Sequence, residues 1–298
     1  MSNRIPYRYV PTGQLESSWG YHLDCAWSGL FDPNASAAFY GDIFTSTFKG
    51  VVGPHDLGIC HSVMLPGEAY ALRFSGIPVI EAKSLEASIV RSFRHVFTLS
   101  SYFQDLLRSH GFQNVKGPLL YPPPLLKRKK PQKSSRKQVV IAQRFSEEKL
   151  PLLVMEVARN MPDINFIFVH ALEPREPYVT WLQLASRNVS SQIFPTRDQY
   201  TEFIANSDCG LVISARDNFG VSVLECLSLG VPCVAPRLFA FPELIKDSFC
   251  LYEPYSLIDV ERAIRYALNC SGSARAPWTI EESTVHLQEE IKKICVNA

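Results

Sequence analysis

The stretch that most limits what this chain can fold into is residues 211–232, LVISARDNFGVSVLECLSLGVP. Leu211, Val212 and Ile213 form an apolar run too short for a helix and suited to a buried strand. Ser214 to Gly220 follow as a polar turn closed by a glycine. Val221, Leu224, Leu227 and Leu229 then return at helical spacing, and Gly230-Val231-Pro232 carries a helix-stop signal. A strand, a turn and a helix start in that order place Phe219, Gly220 and Val221 at a helix N-terminus beside the carboxyl end of a strand. Backbone N–H groups and the positive end of the helix dipole converge there, which suits a phosphate. Two acids bracket the place: Asp217 in the turn and Glu225 in the helix. A carboxylate in either position can accept hydrogen bonds from a ligand's hydroxyls.

The remainder of the chain supplies a frame for such a unit. Apolar runs predict strands at 5–12, 56–61, 77–80, 96–100, 139–142 and 165–169. Between them the pattern predicts helices at 21–30, from 62 to a stop at Gly76, at 102–110 with Ser101 as cap, and from Pro151 onward. A last amphipathic helix is predicted at 280–295, following Trp278. Alternation of this kind argues for βαβ units and mostly parallel sheets. His61 stands at a predicted strand end, where an open α/β sheet collects site residues, although an isolated histidine is more often structural.

A boundary falls at Tyr121–Lys137, where prolines give way to seven basic residues in the eleven positions from Lys127 to Lys137. This run is first a solvated hinge between domains. Its second reading is a strip that contacts the phosphates of a polynucleotide, against which stands the absence of interleaved aromatic residues. The 298 residues suffice for two domains. A net charge of +1 gives no global argument for nucleic acid or membranes. Eight scattered cysteines with no CxxC pair are expected to be reduced core residues of a cytoplasmic protein. No run of 18 apolar residues occurs and the N-terminus lacks an apolar signal core, so neither a membrane span nor a signal peptide is expected.

The 211–232 stretch resembles the signature of the retaining GT-B-fold glycosyltransferases of family GT4: an acid, seven residues and a glutamate, enclosing Phe-Gly and followed by small-x-Gly-x-Pro. Gln143-Arg144-Phe145-Ser146-Glu147-Glu148-Lys149 is similar to the segment in which that family's arginine and lysine, five apart, clamp the donor diphosphate. The resemblance covers 139–270 well and the N-terminal half loosely, and it implies a strand over 189–194, a turn over 196–198 and a short helix over 200–207 with Asp198 as its cap. It implies an α/β protein of two Rossmann-like domains whose parallel sheets face a central cleft. The domains would be 1–122 on the acceptor side and 138–278 for the nucleotide sugar, with 123–137 as linker and 279–298 as a helix crossing back to the first domain. It further implies that Glu225 holds the nucleotide ribose and that Asp217 touches the donor sugar. Asn218, Phe219, Gly220 and Val221 would lie near sugar and phosphates, with His170 approaching the ligand from a turn that is usually glycine-rich. Arg144 and Lys149 would neutralise the diphosphate and count with Asp217 as catalytic, Gly13, Glu81 and Lys83 would serve the acceptor side, and His61 joins the catalytic candidates from its place at a strand end. Here the family's usual histidine is replaced by the sequence Glu81-Ala82-Lys83-Ser84.

With no Asp-x-Asp pair in the chain, the expectation is a metal-independent retaining transferase. It would need no cofactor, take a UDP- or GDP-sugar as donor and act on an acceptor hydroxyl. Arg237-Leu-Phe-Ala-Phe-Pro242-Glu243 resembles the C-terminal region of the tRNA-queuosine mannosyltransferases, which adds a modified base of DNA or tRNA to the acceptors implied. A glycan or small-molecule acceptor is the alternative. A non-catalytic nucleic-acid- or sugar-binding protein descended from such an enzyme is the alternative of another class, and a GT-B epimerase the third.

Overall fold

The computed structural model describes residues 4–12, 19–45, 52–61, 79–124, 136–143, 145, 147–170, 178–194, 196–270 and 274–296. The chain divides into two compact units, one made of Met1–Pro122 with Trp278–Ala298 and the other of Pro123–Pro277.

In the first unit five parallel strands lie side by side in chain order: β1 (Arg8–Val10), β2 (Ala38–Tyr40), β3 (Leu57–Ile59), β4 (His95–Phe97) and β5 (Val115–Lys116). Helices α1 (Trp19–Trp27), α2 (Val79–Ser92) and α3 (Ser101–Ser109) fall between them in sequence. Parallel sheets are covered on both faces, so their strands are apolar throughout rather than alternating, and β2 and β3 are buried at every position. Ala38, Tyr40 and Val96 pack with Ile89, Val90 and Phe93 beside α2 and with Phe103 and Leu107 of α3. Phe39, between Ala38 and Tyr40, points the opposite way into a ring cluster with Phe31 and Phe97, at centroid distances of 5.1 and 6.1 Å. Asp24 fastens α1 to the end of β1, accepting from Tyr9 Oη at 2.8 Å, Thr12 Oγ1 at 2.7 Å and Thr12 N at 3.0 Å. The C-terminal helix Ile280–Val296 belongs to this unit. Its Ser283 Oγ donates to Leu120 O at 2.6 Å, and just ahead of it Trp278 Nε1 donates to Tyr121 O at 2.7 Å.

The second unit has six parallel strands, β6 (Gln138–Ile141), β7 (Asn165–His170), β8 (Val189–Ile193), β9 (Cys209–Leu211), β10 (Cys233–Pro236) and β11 (Leu251–Tyr252). They lie in the order β11-β10-β9-β6-β7-β8. Its helices are α4 (Pro151–Asn160), α5 (Tyr178–Leu184), α6 (Arg197–Ala205), α7 (Val221–Ser228), α8 (Phe241–Leu244) and α9 (Leu257–Asn269). The chain winds outward from β6 to β8, returns to β9 beside β6, and winds outward the other way. The reversal between β6 and β9 is the topological switch point of a doubly wound sheet, where ligands of such folds bind.

Three expectations are corrected. Val79 and Ile80 do not end a strand over 77–80; they open α2, whose buried Glu86, Ile89 and Val90 keep helical spacing. Two β-branched residues after Pro78 look locally like a strand, but the helix formers from Glu81 to Ala87 and the acid in the first turn prevail. Ser100, not Ser101, caps α3, its Oγ accepting from Phe103 N at 3.2 Å. Thr196, not Asp198, caps α6 by accepting from Gln199 N at 3.3 Å. The predicted helix from 62 to Gly76 lies outside the described residues. Cys60, Cys209, Cys226, Cys233 and Cys250 are buried thiols outside any disulfide. Among the described residues no helix is long and apolar enough to cross a membrane.

Asn188, at the entry to β8, is the polar clamp of the second unit. Its Nδ2 donates to Ala158 O at 2.8 Å, Met161 O at 3.0 Å and Ile164 O at 2.8 Å, closing the end of α4 and the start of β7. Asn188→Ala strands these carbonyls in a buried place and is expected to cost about 2–3 kcal/mol, read from the urea denaturation midpoint.

Candidate functional site

The turns after β6 and β9 are stitched to each other at the switch point. Gln143, buried at the end of β6, accepts from Ile213 N at 3.1 Å through Oε1. Its Nε2 is buried with no hydrogen-bond partner among the described residues. A single 3-10 turn, Glu147–Lys149, then leads through Leu150 at φ 45° into Pro151 at the first position of α4. Glu148 O accepts from Ala215 N at 2.8 Å, so the second turn lies against the first.

Lys149 is the centre of this arrangement. Its Nζ donates to Ser214 Oγ at 3.1 Å, Arg216 O at 3.0 Å and Asp217 Oδ2 at 2.9 Å. An ammonium has three protons, and all three are engaged. The Lys149 and Asp217 side chains are 12% and 17% exposed, so this ion pair is held largely out of water but remains reachable. Asp217 Oδ1 accepts from Phe219 N at 3.2 Å, which shapes the turn. Gly220 caps α7 at φ 93°, and a Cβ there would meet Phe241 Cε1 at 2.8 Å, so backbone torsion and space both demand glycine. Phe219 is buried, while Asn218 and Val221 are half-buried. The first N–H groups of α7 are those a helix leaves without intrahelical partners.

Glu225 is buried in α7 and ion-paired to Arg197, whose Nη2 donates to Oε1; Oε2 accepts from Tyr200 Oη at 2.7 Å. Arg197 Cζ stands 4.7 Å from the Tyr200 ring centroid. Burial first, then the Glu225 charge, pushes the Tyr200 phenol well above its ordinary range, so it is a lasting proton donor. Arg197 and Tyr200 escaped sequence reasoning. Their i, i+3 spacing marks one helix face, but nothing local points to a glutamate 25 residues beyond Tyr200. Of the other expected donor residues, Arg144 and the His170 side chain lie outside the described residues; His170 itself closes β7, paired with Ile193.

The acceptor-side candidates and His61 fall on different parts of the first unit. Gly13 lies outside the described residues. Glu81 is exposed in the first turn of α2 and Lys83 half-buried on the same helix, rather than following a strand. His61 does follow β3. Its Nε2 lies 2.9 Å from Gly41 O, and burial pulls the imidazole down to about 3, so the ring is neutral with the proton on Nε2. Next to Gly41, Asp42 is buried and accepts from Phe44 N at 3.1 Å; burial raises its carboxyl to about 6. Among the described residues no group of three or more His, Cys, Asp or Glu side chains is placed to hold a metal ion.

Two outcomes are expected. Gly220→Ala should destabilise by about 2–3 kcal/mol in thermal melting, because α7 or Phe241 must shift. Asp42 holds its proton in the native state up to about 6, against an ordinary 3.8, so its contribution to stability is lost as pH rises between those values. Asp42→Asn should therefore gain about 3 kcal/mol over wild type above pH ~6.5 and almost nothing below pH ~3.5, read from denaturation across pH.

Comparison with known proteins bears on the family and the fold. Residues 124–281 match the family model described as glycosyl transferases group 1. A 50-residue stretch, 17% of this chain and 13% of the relative, is 38% identical to N-acetyl-alpha-D-glucosaminyl L-malate synthase of Bacillus anthracis. Sucrose-phosphate synthase of Thermosynechococcus elongatus superposes with a TM-score of 0.63 at 14% identity, over 92% of this chain and 72% of that one. A variant of S. aureus TarM, in complex with fondaparinux, alpha-GlcNAc-glycerol and UDP, superposes with a TM-score of 0.62 at 15% identity. That match covers 88% of this chain and 54% of TarM, so the chain spans about half of TarM's length. The structural likenesses establish the fold class, α/β with two parallel sheets as in GT-B enzymes. With more than half of its length matched by the family model, this chain belongs to the glycosyl transferases of group 1.

Proposed function

We propose that this protein transfers a sugar from a nucleoside-diphosphate sugar to an acceptor hydroxyl, with retention at the anomeric carbon and without a metal ion. The observation that carries the reading is the bond of Lys149 to Asp217 at the switch point, beside the Gly220-capped N-terminus of α7, the helix that also carries Glu225. The diphosphate would lie at the helix N-terminus and take up the Lys149 ammonium, with Arg144 as the second cation the sequence supplies. Gln143 Nε2, a buried amide donor without a partner among the described residues, is a further candidate contact. Asp217 would accept from the sugar's hydroxyls and Glu225 from those of the ribose.

In the proposed reaction the bond from the anomeric carbon to the diphosphate oxygen breaks and the acceptor oxygen bonds to the same face. The acceptor's proton passes to the leaving diphosphate. The cations stabilise charge that grows on the leaving group, an effect strongest where water is excluded. A UDP-sugar is the first donor to try, because TarM was captured with UDP. For the acceptor we propose a hydroxyl on a modified base of DNA or tRNA. That arm rests on the Arg237–Glu243 form and on the basic run from Lys127 to Lys137.

Thermal shift with UDP, GDP, ADP and their sugars, with and without EDTA, tests the donor site. One nucleotide at about 100 times its Kd should stabilise the wild type by about 2.7 kcal/mol. EDTA should leave that shift unchanged, and Lys149→Met and Glu225→Ala should abolish it. No shift with any nucleotide would sink the transferase reading. With the donor known, DNA, tRNA and glycan acceptors are compared, and the anomeric configuration of the product by NMR decides between retention and inversion.

A further inference from the structure

In the proposed transfer reaction Glu225 accepts from the ribose hydroxyls, and the role inferred for its neighbours rests on that function. Each oxygen of its buried carboxylate already takes a hydrogen bond, Oε1 from Arg197 and Oε2 from Tyr200 at 2.7 Å. Both partners stand on the first turn of α6, three residues apart, and so rise from one face of that helix. The Arg197 side chain is 9% exposed and its guanidinium lies over the Tyr200 ring, so each braces the other. A buried carboxylate without such partners is strongly disfavoured. With them it is charge-balanced and confined to one orientation. An ionised carboxylate offers about four lone-pair sites; these two donors use two of them. The remainder match a pair of vicinal hydroxyls.

We propose that Arg197 and Tyr200 are positioning residues of the ribose subsite. They hold the Glu225 carboxylate so that its remaining lone-pair sites meet the 2′- and 3′-hydroxyls of the donor nucleotide, and they thereby determine the preference for ribose over deoxyribose. The competing role for the same contacts is a latch, in which Arg197 occupies the carboxylate until a nucleotide displaces it. The two roles predict opposite effects. Loss of a positioning residue weakens recognition of the ribose, whereas loss of a latch strengthens nucleotide binding.

The test is calorimetric titration with UDP, GDP and ADP, each beside its 2′,3′-dideoxy counterpart. The proteins are wild type, Tyr200→Phe, Arg197→Lys, Arg197→Met and, as a core control away from these contacts, Val260→Ala. Wild type should prefer the ribonucleotide it binds by about tenfold or more, the measure of hydrogen bonds to a charged group. Tyr200→Phe and Arg197→Met should reduce that preference to about threefold or less. Arg197→Lys, a point charge without the planar fork, should fall between. Val260→Ala should keep the full preference even though it lowers the melting temperature. Tyr200→Phe removes one hydroxyl and retains the ring, so it decides the matter even if Arg197→Met does not fold. Full preference retained in folded Tyr200→Phe overturns the proposal, as does tighter ribonucleotide binding by any of the three site variants. Absence of binding by wild type overturns the transferase function and the positioning role with it, and is recognised because it appears before any substitution is made.

Discussion

A single ammonium group holds the centre of the second unit together. Winding that reverses between β6 and β9 places two βα turns side by side, and both turns carry polar groups that are partly withdrawn from water. Lys149 meets that demand, with three protons bonded to a hydroxyl, a carbonyl and a carboxylate of the neighbouring turn. Under the proposed function the same property would suit the place to an anion. The charge is compact and half-buried, beside a helix N-terminus, and its carboxylate partner is one that an incoming diphosphate can replace or share.

The two acids flanking the turn live in different surroundings, and these set their different uses. Asp217 sits in the turn at 17% exposure, shared between Lys149 and the Phe219 backbone, and so faces whatever enters beside the lysine. Glu225 is enclosed in α7 and answered by a guanidinium and a phenol from α6. The first is accessible and exchangeable; the second is preorganised. Gly220 separates them, since its left-handed backbone lets the turn close and its missing side chain leaves room for Phe241.

In the first unit polar groups likewise collect at the carboxyl ends of the strands. Thr12 and Asp24 gather after β1, Asp42 after β2 and His61 after β3. Asp24 is spent on structure, securing α1. His61 is neutral and bonded to a backbone carbonyl, and Asp42 is kept protonated into mildly acidic pH by its burial. The last helix of the chain and Trp278 just ahead of it complete this unit through hydroxyl, imidazole and indole contacts to the carbonyls of Pro118, Leu120 and Tyr121.

Much of this was legible in the residues themselves. Short apolar runs gave most of the strands, Gly111, Gly220 and Gly230 take up positive φ at helix ends, and the 211–232 pattern located the turn between β9 and α7. Such signals are local, because periodicity and backbone torsion are properties of adjacent residues. Even there, near-degenerate neighbours misled: Ser101 for Ser100, Asp198 for Thr196, and a strand at 77–80 where Val79 and Ile80 begin a helix. What the sequence by itself determined is the alternation of strands and helices and the chemistry placed at one strand end. Only the tertiary structure decided the order of the strands, the embrace of Lys149 by a turn more than sixty residues later, and the pairing of Glu225 with Arg197 and Tyr200. Those contacts depend on which strands lie side by side, and a pattern that repeats every two or four residues carries no record of neighbours reached across a sheet.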